Sequence, residues 1–312
     1  MLWIVFFAFL NPPSHGIDAD KLFDADMFQP AYGYSLNGTV VLGYLTHIVK
    51  LDAQGTLLAA FDQKGKGPRE LASGGPMFAV GEDIWINDVM GKKILVLDGE
   101  LSFKKELFVE TLSISMTGPS LALGQLYKLE AEGDYLEPQI FMTKVDVFRN
   151  EILSKTFLMG FQPDFPLSYK GILWLEGRTF AVWETGQRRN PYQVWIWEET
   201  AGDMRPLSIP IPDFPARAVR SASTSTEAFL QKGMPIIKSL AKIGDQLWAE
   251  VQKINPGGDI TDQTRYRVTL DYASGKPLKT ERVAHKWVVS LGRTDHLILQ
   301  DEDGNLTLIP KH

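Results

Sequence analysis

The side chains that could perform chemistry are scattered along this chain and complete no catalytic pattern. There is no Gly-x-Ser-x-Gly elbow, no His-Glu-x-x-His pair, no dinucleotide fingerprint and no cysteine. Thiolate nucleophiles, disulfides and thiolate metal sites are therefore excluded. His47, His285 and His296 could meet only if distant segments came together, and a lone histidine in a strand or loop is more often structural.

Asn87 and Asp88 are the best-placed oxygen ligands for a metal ion. They are adjacent, and they directly follow the predicted strand Ile84–Ile86. A calcium site needs several oxygen ligands that converge on one point, and the sequence supplies only this pair in a suitable place. The acidic run Asp301–Asp303 lacks the spacing of an EF-hand loop, so a hairpin turn explains it better. We expect no cofactor, and calcium bound through Asn87 and Asp88 is the open alternative.

A strand-like signal recurs about every 45 to 50 residues, and each copy has a polar turn, a short apolar run and a second strand-like run. Some runs, such as Val194–Trp197, are apolar on both faces, as expected for a sheet stacked between two neighbours. A β-sandwich would show alternation without a constant period. The sequence predicts an all-β, six-bladed β-propeller of four-stranded antiparallel blades. The first apolar residues of the six signals are Val40, Ile84, Leu126, Phe180, Leu247 and Leu297.

The period breaks in two places. The interval before the fifth signal is long because of residues 212–234, which we interpret as an insertion with a short helix that begins at the capping box Thr224-Ser225-Thr226-Glu227. The last repeat ends after a third strand at Leu306–Ile309, without a fourth. We expect the segment Ile17–Gln29 to pair with this last blade and close the ring, because closure removes unpaired sheet edges.

The first residues are typical of an export signal. Leu2–Leu10 is an apolar run, and Ser14-His15-Gly16 is a small-x-small triplet of the kind that signal peptidase accepts, although no basic residue precedes the run. The run is too short to span a bilayer as a helix. We predict a signal peptide over residues 1–16 and one propeller domain over residues 17–312, secreted or periplasmic. An uncleaved anchor and a buried strand remain the alternatives.

Charge narrows the class of partner. The formal net charge is -6 and the chain is 22% charged overall. Nucleic acid binding requires a positive field that this balance does not supply, so we expect no nucleic acid partner. A local basic patch could still bind an anion.

Two stretches resemble six-bladed propellers of the NHL-like and TolB-like kind. Gln63–Leu71 is similar to their Gly-x-Gly-Pro-x-Glu-Phe connector, with Leu71 in the Phe position. Ile84–Asp98 is similar to the NHL repeat core, in which Asp88 ends one strand and Lys93 opens the next. The resemblance implies a six-bladed fold and a binding platform, and some propeller relatives are calcium-dependent lactonases. Locally, the connector predicts a stiff joint, with an anion-binding nest as the alternative.

Topology predicts where a binding site would lie. In a four-stranded blade, the loop between the second and third strands and the connector to the next blade open on the same end, which we call the loop-rich end. Long, charged loops on a rigid scaffold are where binding sites usually reside. The candidate binding residues at this end are His47, Lys66, Arg69, Asp88, Lys92, Arg188, Arg189 and His285.

These patterns favour an exported, non-catalytic recognition module that binds a protein, peptide or glycan on its loop-rich end. The competing hypothesis is a calcium-dependent, lactonase-like hydrolase that uses channel carboxylates such as Asp88. A third is a structural part of an envelope complex.

Overall fold

The structure is a computed structural model that describes the strands and most of their connections. The described residues are 16–17, 32–44, 46–75, 77–88, 90–108, 120–122, 125–133, 139–146, 148–149, 151–160, 170–184, 191–214, 234–254, 263–284, 286–287, 296–301 and 305–310. The predicted helix at residues 224–232 lies outside them, as do residues 1–15. Within these ranges, no helix is long and apolar enough to cross a membrane.

The described residues form six four-stranded antiparallel sheets, numbered here in chain order. Sheet 6 includes the N-terminal strand β1 (Gly16–Ile17). Sheet 1 comprises β2 (Tyr32–Leu36), β3 (Thr39–Tyr44), β4 (His47–Asp52) and β5 (Leu57–Phe61). Sheet 2 comprises β6 (Met77–Val80), β7 (Asp83–Asp88), β8 (Lys93–Leu97) and β9 (Phe103–Phe108). Sheet 3 comprises β10 (Ser120–Ala122), β11 (Gln125–Glu132), β12 (Gln139–Asp146) and β13 (Glu151–Gly160).

The C-terminal half continues the same plan. Sheet 4 comprises β14 (Lys170–Glu176), β15 (Thr179–Glu184), β16 (Tyr192–Glu198) and β17 (Met204–Ile209). Sheet 5 comprises β18 (Met234–Ile243), β19 (Gln246–Ile254), β20 (Gln263–Asp271) and β21 (Pro277–Arg282). Sheet 6 comprises β22 (Lys286–Trp287), β23 (His296–Gln300), β24 (Leu306–Pro310) and β1.

The repeated hairpin signals mark the second strand of every sheet. Each of the six first apolar residues predicted from the period lies on β3, β7, β11, β15, β19 or β23 and is buried. The turns before them have the expected geometry, because Asn37 (φ 53°) and Gly38 (φ 75°) both adopt the left-handed conformation of a tight hairpin. One strand prediction was displaced. Val145 lies in β12, which ends at Asp146, whereas Phe148, predicted to belong to the same strand, lies in the following turn.

Apolar side chains pack each sheet against its neighbours on both faces. Every residue of β8 is buried, since sheet 2 packs on sheet 1 through one face and on sheet 3 through the other. Sheet 6 packs on sheet 5 through Leu297 and Leu299 and on sheet 1 through Ile298 and Leu306. The strand β1 pairs with β24 through Gly16↔Thr307 and Ile17↔Leu306. Face-to-face packing of four-stranded antiparallel sheets is the architecture of a β-propeller.

A cation from one sheet contacts the turn between the third and fourth strands of the next sheet at four successive boundaries. Lys50 of sheet 1 donates to the carbonyl of Gly99 (2.7 Å) and to Glu100 (2.9 Å) of sheet 2. Between sheets 3 and 4, Lys144 donates to Glu199 (2.8 Å). The other two contacts are Lys105 with the ring of Phe148 (4.7 Å) and Arg205 with the carbonyls of Tyr272 and Ala273 (3.0 and 3.2 Å).

Sheets 3 and 5 are taller than the others. Their second and third strands have 8 and 8 residues and 9 and 9 residues, against 6 and 5 in sheet 2 and 5 and 5 in sheet 6. Each second strand starts directly after a short turn, so the extra residues extend the loop-rich end. At about 3.4 Å per residue, the two sheets rise roughly 7 to 10 Å above a six-residue strand.

Candidate functional site

Buried polar side chains concentrate where the second strands approach the loop-rich end. The apolar residues that open these strands, such as Ile84 and Leu247, give way to polar ones further along. Burying polar groups costs free energy unless they are hydrogen-bonded, so this concentration is not what a core built for stability alone requires. It marks the loop-rich end as the candidate functional region. The buried polar residues of these strands are Asn87, Asp88, Lys128, Glu184, Glu250, Gln252, Lys253 and Gln300.

Asp88 fixes the connector between sheets 1 and 2. It is fully buried, and its Oδ2 accepts a hydrogen bond from the backbone N–H of Ala72 (3.0 Å). Its Oδ1 accepts hydrogen bonds from the N–H groups of Ser73 (3.1 Å) and Gly91 (2.9 Å). The carboxylate therefore ties the connector and the β7–β8 loop to the end of β7, and both oxygens are engaged by N–H donors.

Asn87 lies beside Asp88 but has a different environment. It is fully buried, and within the described ranges neither its amide nitrogen nor its amide oxygen has a hydrogen-bond partner. Its backbone carbonyl lies against Gly75, where an added Cβ would come within 2.6 Å of the oxygen. No group of three or more His, Cys, Asp or Glu side chains in the part of the chain that the structure describes could hold a metal ion.

The Glu70 carboxylate of the connector itself occupies the predicted anion-binding nest. The N–H of Gly67 donates to Glu70 Oε2 (2.7 Å), and a Cβ on Gly65 would lie only 2.0 Å from the same oxygen. Gly65 has a φ of 155°, and its N–H donates to the carbonyl of Leu71 (3.2 Å). The two glycines therefore make room for the Glu70 carboxylate, which supports the stiff joint over an external anion site.

Lys93 holds the connector in place through a buried ammonium group. Its ammonium donates to the carbonyl of Gly67 (2.8 Å) and to Glu106 Oε2 (2.9 Å), and its side chain is 1% exposed. Charge-assisted hydrogen bonds of this kind are stronger than neutral ones, so the loop is clamped to sheet 2 at both Lys93 and Asp88. Arg69, with a φ of 65°, lies over the ring of Phe103 at 5.3 Å.

The clamped connector presents positive charge to solvent. Lys64, Lys66 and Arg69 are exposed on it, and Lys92 is exposed on the adjoining β7–β8 loop. His47 lies at the same end, where its Nδ1 is 3.1 Å from Asp62 Oδ1 and its side chain is 45% exposed. The structure thus places Lys66 and Arg69 on the connector, Asp88 at the end of β7 that fixes it, and Lys92 on the adjoining β7–β8 loop. Arg188, Arg189 and His285 lie outside the described residues.

The histidines do not converge within the described part of the chain. His47 begins β4 at the loop-rich end, whereas His296 begins β23 at the opposite end, where its Nδ1 is 3.1 Å from Ser35 Oγ. A shared site for these two histidines is therefore incompatible with the topology.

Sequence reasoning missed a charged cluster on sheet 3. Glu130 accepts hydrogen bonds from Lys155 (2.9 Å) and from the hydroxyl of Thr143 (2.8 Å), and it also pairs with Lys128. Burial opposes the charged form of Glu130, but these three donors outweigh it and lower the pKa to about 2. The alternation of Lys128, Glu130 and Glu132 along β11 was the available signal, since alternate residues of a strand share one face.

Sequence reasoning also missed a polar seam on the side of sheet 5 that faces sheet 6. Near the short turns this boundary is apolar, with Ala241 packed on Leu297. Towards the loop-rich end, Glu250 lies opposite Arg267 on the neighbouring strand, and Gln252 lies opposite Arg265. Glu250 and Gln252 are buried. We call Lys238, Ser239, Glu250, Gln252, Arg265 and Arg267 the polar seam.

Comparison with known proteins supports the fold. A member of the DUF4221 family from Bacteroides vulgatus superposes with a TM-score of 0.62 at 10% identity, covering 96% of each chain. A Bacteroides fragilis protein named as a candidate for export superposes with a TM-score of 0.60 at 13% identity, covering 95% of this chain and 93% of the other. No protein-family model matches the sequence, and no curated protein matches it significantly. The chain is thus a β-propeller of four-stranded antiparallel blades.

Proposed function

We propose that this propeller is an exported, non-catalytic binding module that recognises a protein, peptide or glycan on its loop-rich end. The connector Asp62–Gly75 carries the proposal. Asp88 and Lys93 fix its backbone, while Lys64, Lys66 and the neighbouring Lys92 remain exposed. A rigid positive surface on a chain of net charge -6 favours a ligand with anionic groups, and rigidity reduces the entropy lost on binding.

The alternative of a calcium-dependent, lactonase-like hydrolase depends on Asn87 and Asp88. Three N–H groups already occupy the two oxygens of Asp88, which argues against its use as a metal ligand. Metal analysis of the purified protein, together with a panel of lactones and esters, separates the two functions. Stoichiometric calcium with turnover would overturn the binding-module proposal.

Export and ring closure belong to the same proposal. The apolar run Leu2–Leu10 supports export, and the structurally similar Bacteroides fragilis protein is named as a candidate for export. We further propose that the six sheets are the blades of one ring and that β1 completes the last blade. The pairing of β1 with β24 and the packing of sheet 6 on sheet 1 support this interpretation.

The binding proposal is tested by charge reversal. The wild-type protein is screened on glycan and peptide arrays, and every binder is measured again with the variant Lys64→Glu/Lys66→Glu/Lys92→Glu. We expect binding to fall at least roughly tenfold, and we expect wild-type binding to weaken with salt. The matched control is Arg149→Glu, because Arg149 is 73% exposed in a turn at the opposite end. Equal binding by the triple variant and the wild type would refute a role for the connector.

A further inference from the structure

The strand β9 ends in an exposed aromatic side chain beside the connector. Phe108 is 63% exposed, and no other large apolar side chain in the described ranges is more exposed. It pairs directly with Lys93 of β8, and directly paired residues of neighbouring strands share one face of the sheet. Because Lys93 Nζ donates to the carbonyl of Gly67, Phe108 lies on the face of sheet 2 that holds the connector.

Two other side chains on this face of β9 are covered by cations. The Arg69 guanidinium lies 5.3 Å from the centre of the Phe103 ring, and Glu106 accepts a hydrogen bond from Lys93 (2.9 Å). In the part of the chain that the structure describes, Phe108 has no ring or cation contact of this kind. A phenyl ring that is open to water beside a fixed loop offers apolar area to a binding partner.

A second apolar side chain is exposed at the same end of sheet 2. Met90 is 58% exposed in the loop between β7 and β8. The N–H of the next residue, Gly91, donates to Asp88 Oδ1 (2.9 Å), which fixes the loop backbone beside Met90. Met90 and Phe108 therefore flank the start of β8. Methionine is flexible and polarisable, so it adapts to varied apolar partners.

Exposed lysines lie next to these two apolar side chains. Lys92 directly precedes Lys93, the strand partner of Phe108, and Lys66 directly precedes Gly67, whose carbonyl Lys93 binds. Nearby carboxylates already accept hydrogen bonds from other groups of the protein: Glu70, Asp88 and Glu106. We call Lys66, Met90, Lys92 and Phe108 the apolar–basic surface.

We propose that the apolar–basic surface binds an acidic peptide segment that carries a large apolar side chain between its carboxylates. This inference rests on the binding function proposed above and narrows its ligand to a peptide. The carboxylates would pair with Lys66 and Lys92, and the apolar side chain would pack on Phe108 and Met90, which removes apolar surface from water. Interfaces commonly combine an apolar centre with a polar rim. A glycan with anionic groups has no large apolar side chain to cover Phe108 and Met90.

A peptide array tests the class of ligand. It carries short synthetic peptides in matched sets: an acidic peptide with a central Phe or Leu, the same peptide with a central Ser, and the same peptide with Gln and Asn in place of its acids. We expect the first kind to bind at least roughly tenfold more tightly than the other two. A glycan array is run in parallel. Binding of glycans alone, or equal binding of the Phe and Ser peptides, would overturn the inference.

Substitutions separate the apolar contact from the charged one. The tightest array peptide is titrated against each variant by fluorescence anisotropy. Phe108→Ser and Met90→Ser should each weaken binding at least roughly fivefold, at low and at high salt alike, because salt screens charges and leaves apolar contacts in place. Phe108→Leu should retain most of the binding. The matched control is Leu278→Ser on β21 of sheet 5, where Leu278 is 54% exposed, and it should bind like the wild type.

The triple connector variant distinguishes this inference from the proposed function. Full binding by Phe108→Ser and Met90→Ser, combined with loss of binding by the triple variant, would overturn the inference and leave the proposed function in place. Full binding by the triple variant would overturn both. Thermal unfolding checks that the serine variants fold, and we expect wild-type melting curves because both side chains are exposed.

Discussion

Lys144 Nζ lies 2.8 Å from Glu199 Oε1, and this contact joins sheet 3 to the turn between β16 and β17 of sheet 4. Both side chains are 16% exposed. The hydroxyl of Tyr127 donates to Glu199 Oε2 at 3.0 Å, and burial, aided by Glu199, raises the pKa of Tyr127. The Glu199 carboxylate belongs to sheet 4 and therefore contacts two side chains of sheet 3, Lys144 and Tyr127.

A double-mutant cycle measures the coupling energy between Lys144 and Glu199. We expect Lys144→Met and Glu199→Gln each to lower the free energy of unfolding, with a coupling energy of about 1 to 2 kcal/mol in urea denaturation, because the pair is largely shielded from water. The comparison pair is Arg149 and Asp146, which are 3.9 Å apart and more exposed. Its coupling should be about 0 to 0.5 kcal/mol. Equal couplings in the two cycles would contradict the assignment.

Gly65→Ala should destabilise the connector. The new Cβ would overlap Glu70 Oε2 at 2.0 Å, and the φ of 155° disfavours a side chain. We expect a loss of about 1 to 3 kcal/mol in the free energy of unfolding. Gly160→Ala is the matched control, since an added Cβ meets nothing within 4 Å and no positive φ opposes it. That change should alter stability by less than about 0.5 kcal/mol. Similar effects of the two substitutions would rule out the steric role of Gly65.

Asp88→Asn replaces one of the acceptor oxygens with an N–H₂ group that faces backbone donors. Because the residue is fully buried, we expect a loss of about 2 to 4 kcal/mol in the free energy of unfolding. Asp62→Asn, at the exposed end of the same connector, should cost less than about 0.5 kcal/mol. A mild effect of Asp88→Asn, combined with a loss of bound calcium, would instead favour the hydrolase hypothesis.

Acid should weaken sheet 3 through Glu130. The folded-state pKa of Glu130 is about 2, against 4.5 for a free glutamate. A lowered carboxylate pKa stabilises the fold above the unfolded value, and that stability is lost as the pH falls from about 4.5 to about 2. Glu130→Gln should therefore lower stability at pH 7 by about 1 to 3 kcal/mol and flatten the pH dependence in that window. Chemical denaturation from pH 2 to pH 7 provides the measurement. Identical pH profiles for variant and wild type would exclude this role.

The N-terminal strand should contribute to the stability of the last sheet. β1 begins at Gly16, the residue that the predicted cleavage would remove, and it pairs with Thr307 and Leu306. A chain that begins at Asp18 should melt roughly 3 to 6 °C below one that begins at Gly16. Mass spectrometry of the secreted protein would show whether Gly16 is retained. Identical melting curves would argue against closure of the ring by β1.

The sequence predicted features that depend on neighbouring residues and missed those that depend on contact between sheets. Asn37-Gly38 specifies its own turn, and the apolar residues after each turn locate the second strands. Asp88 and Lys93 stood out as a pattern, but their partners Ser73 and Gly67 lie 15 and 26 residues away, and nothing in the sequence indicated these contacts. The bulge at Lys238, where the pairing of β18 with β19 shifts between Ile237 and Ser239, was hidden for the same reason, because its strand contains no residue that by itself specifies an extra position.

Four cation contacts between sheets have the same direction along the chain: Lys50, Lys105, Lys144 and Arg205 each contact a turn of the sheet that follows. During synthesis, each of these sheets therefore leaves the ribosome before the turn that its cation binds. Such a sheet acquires this contact only when its successor has emerged. At these four boundaries, the contact that joins two sheets therefore forms only after the C-terminal partner has been synthesised.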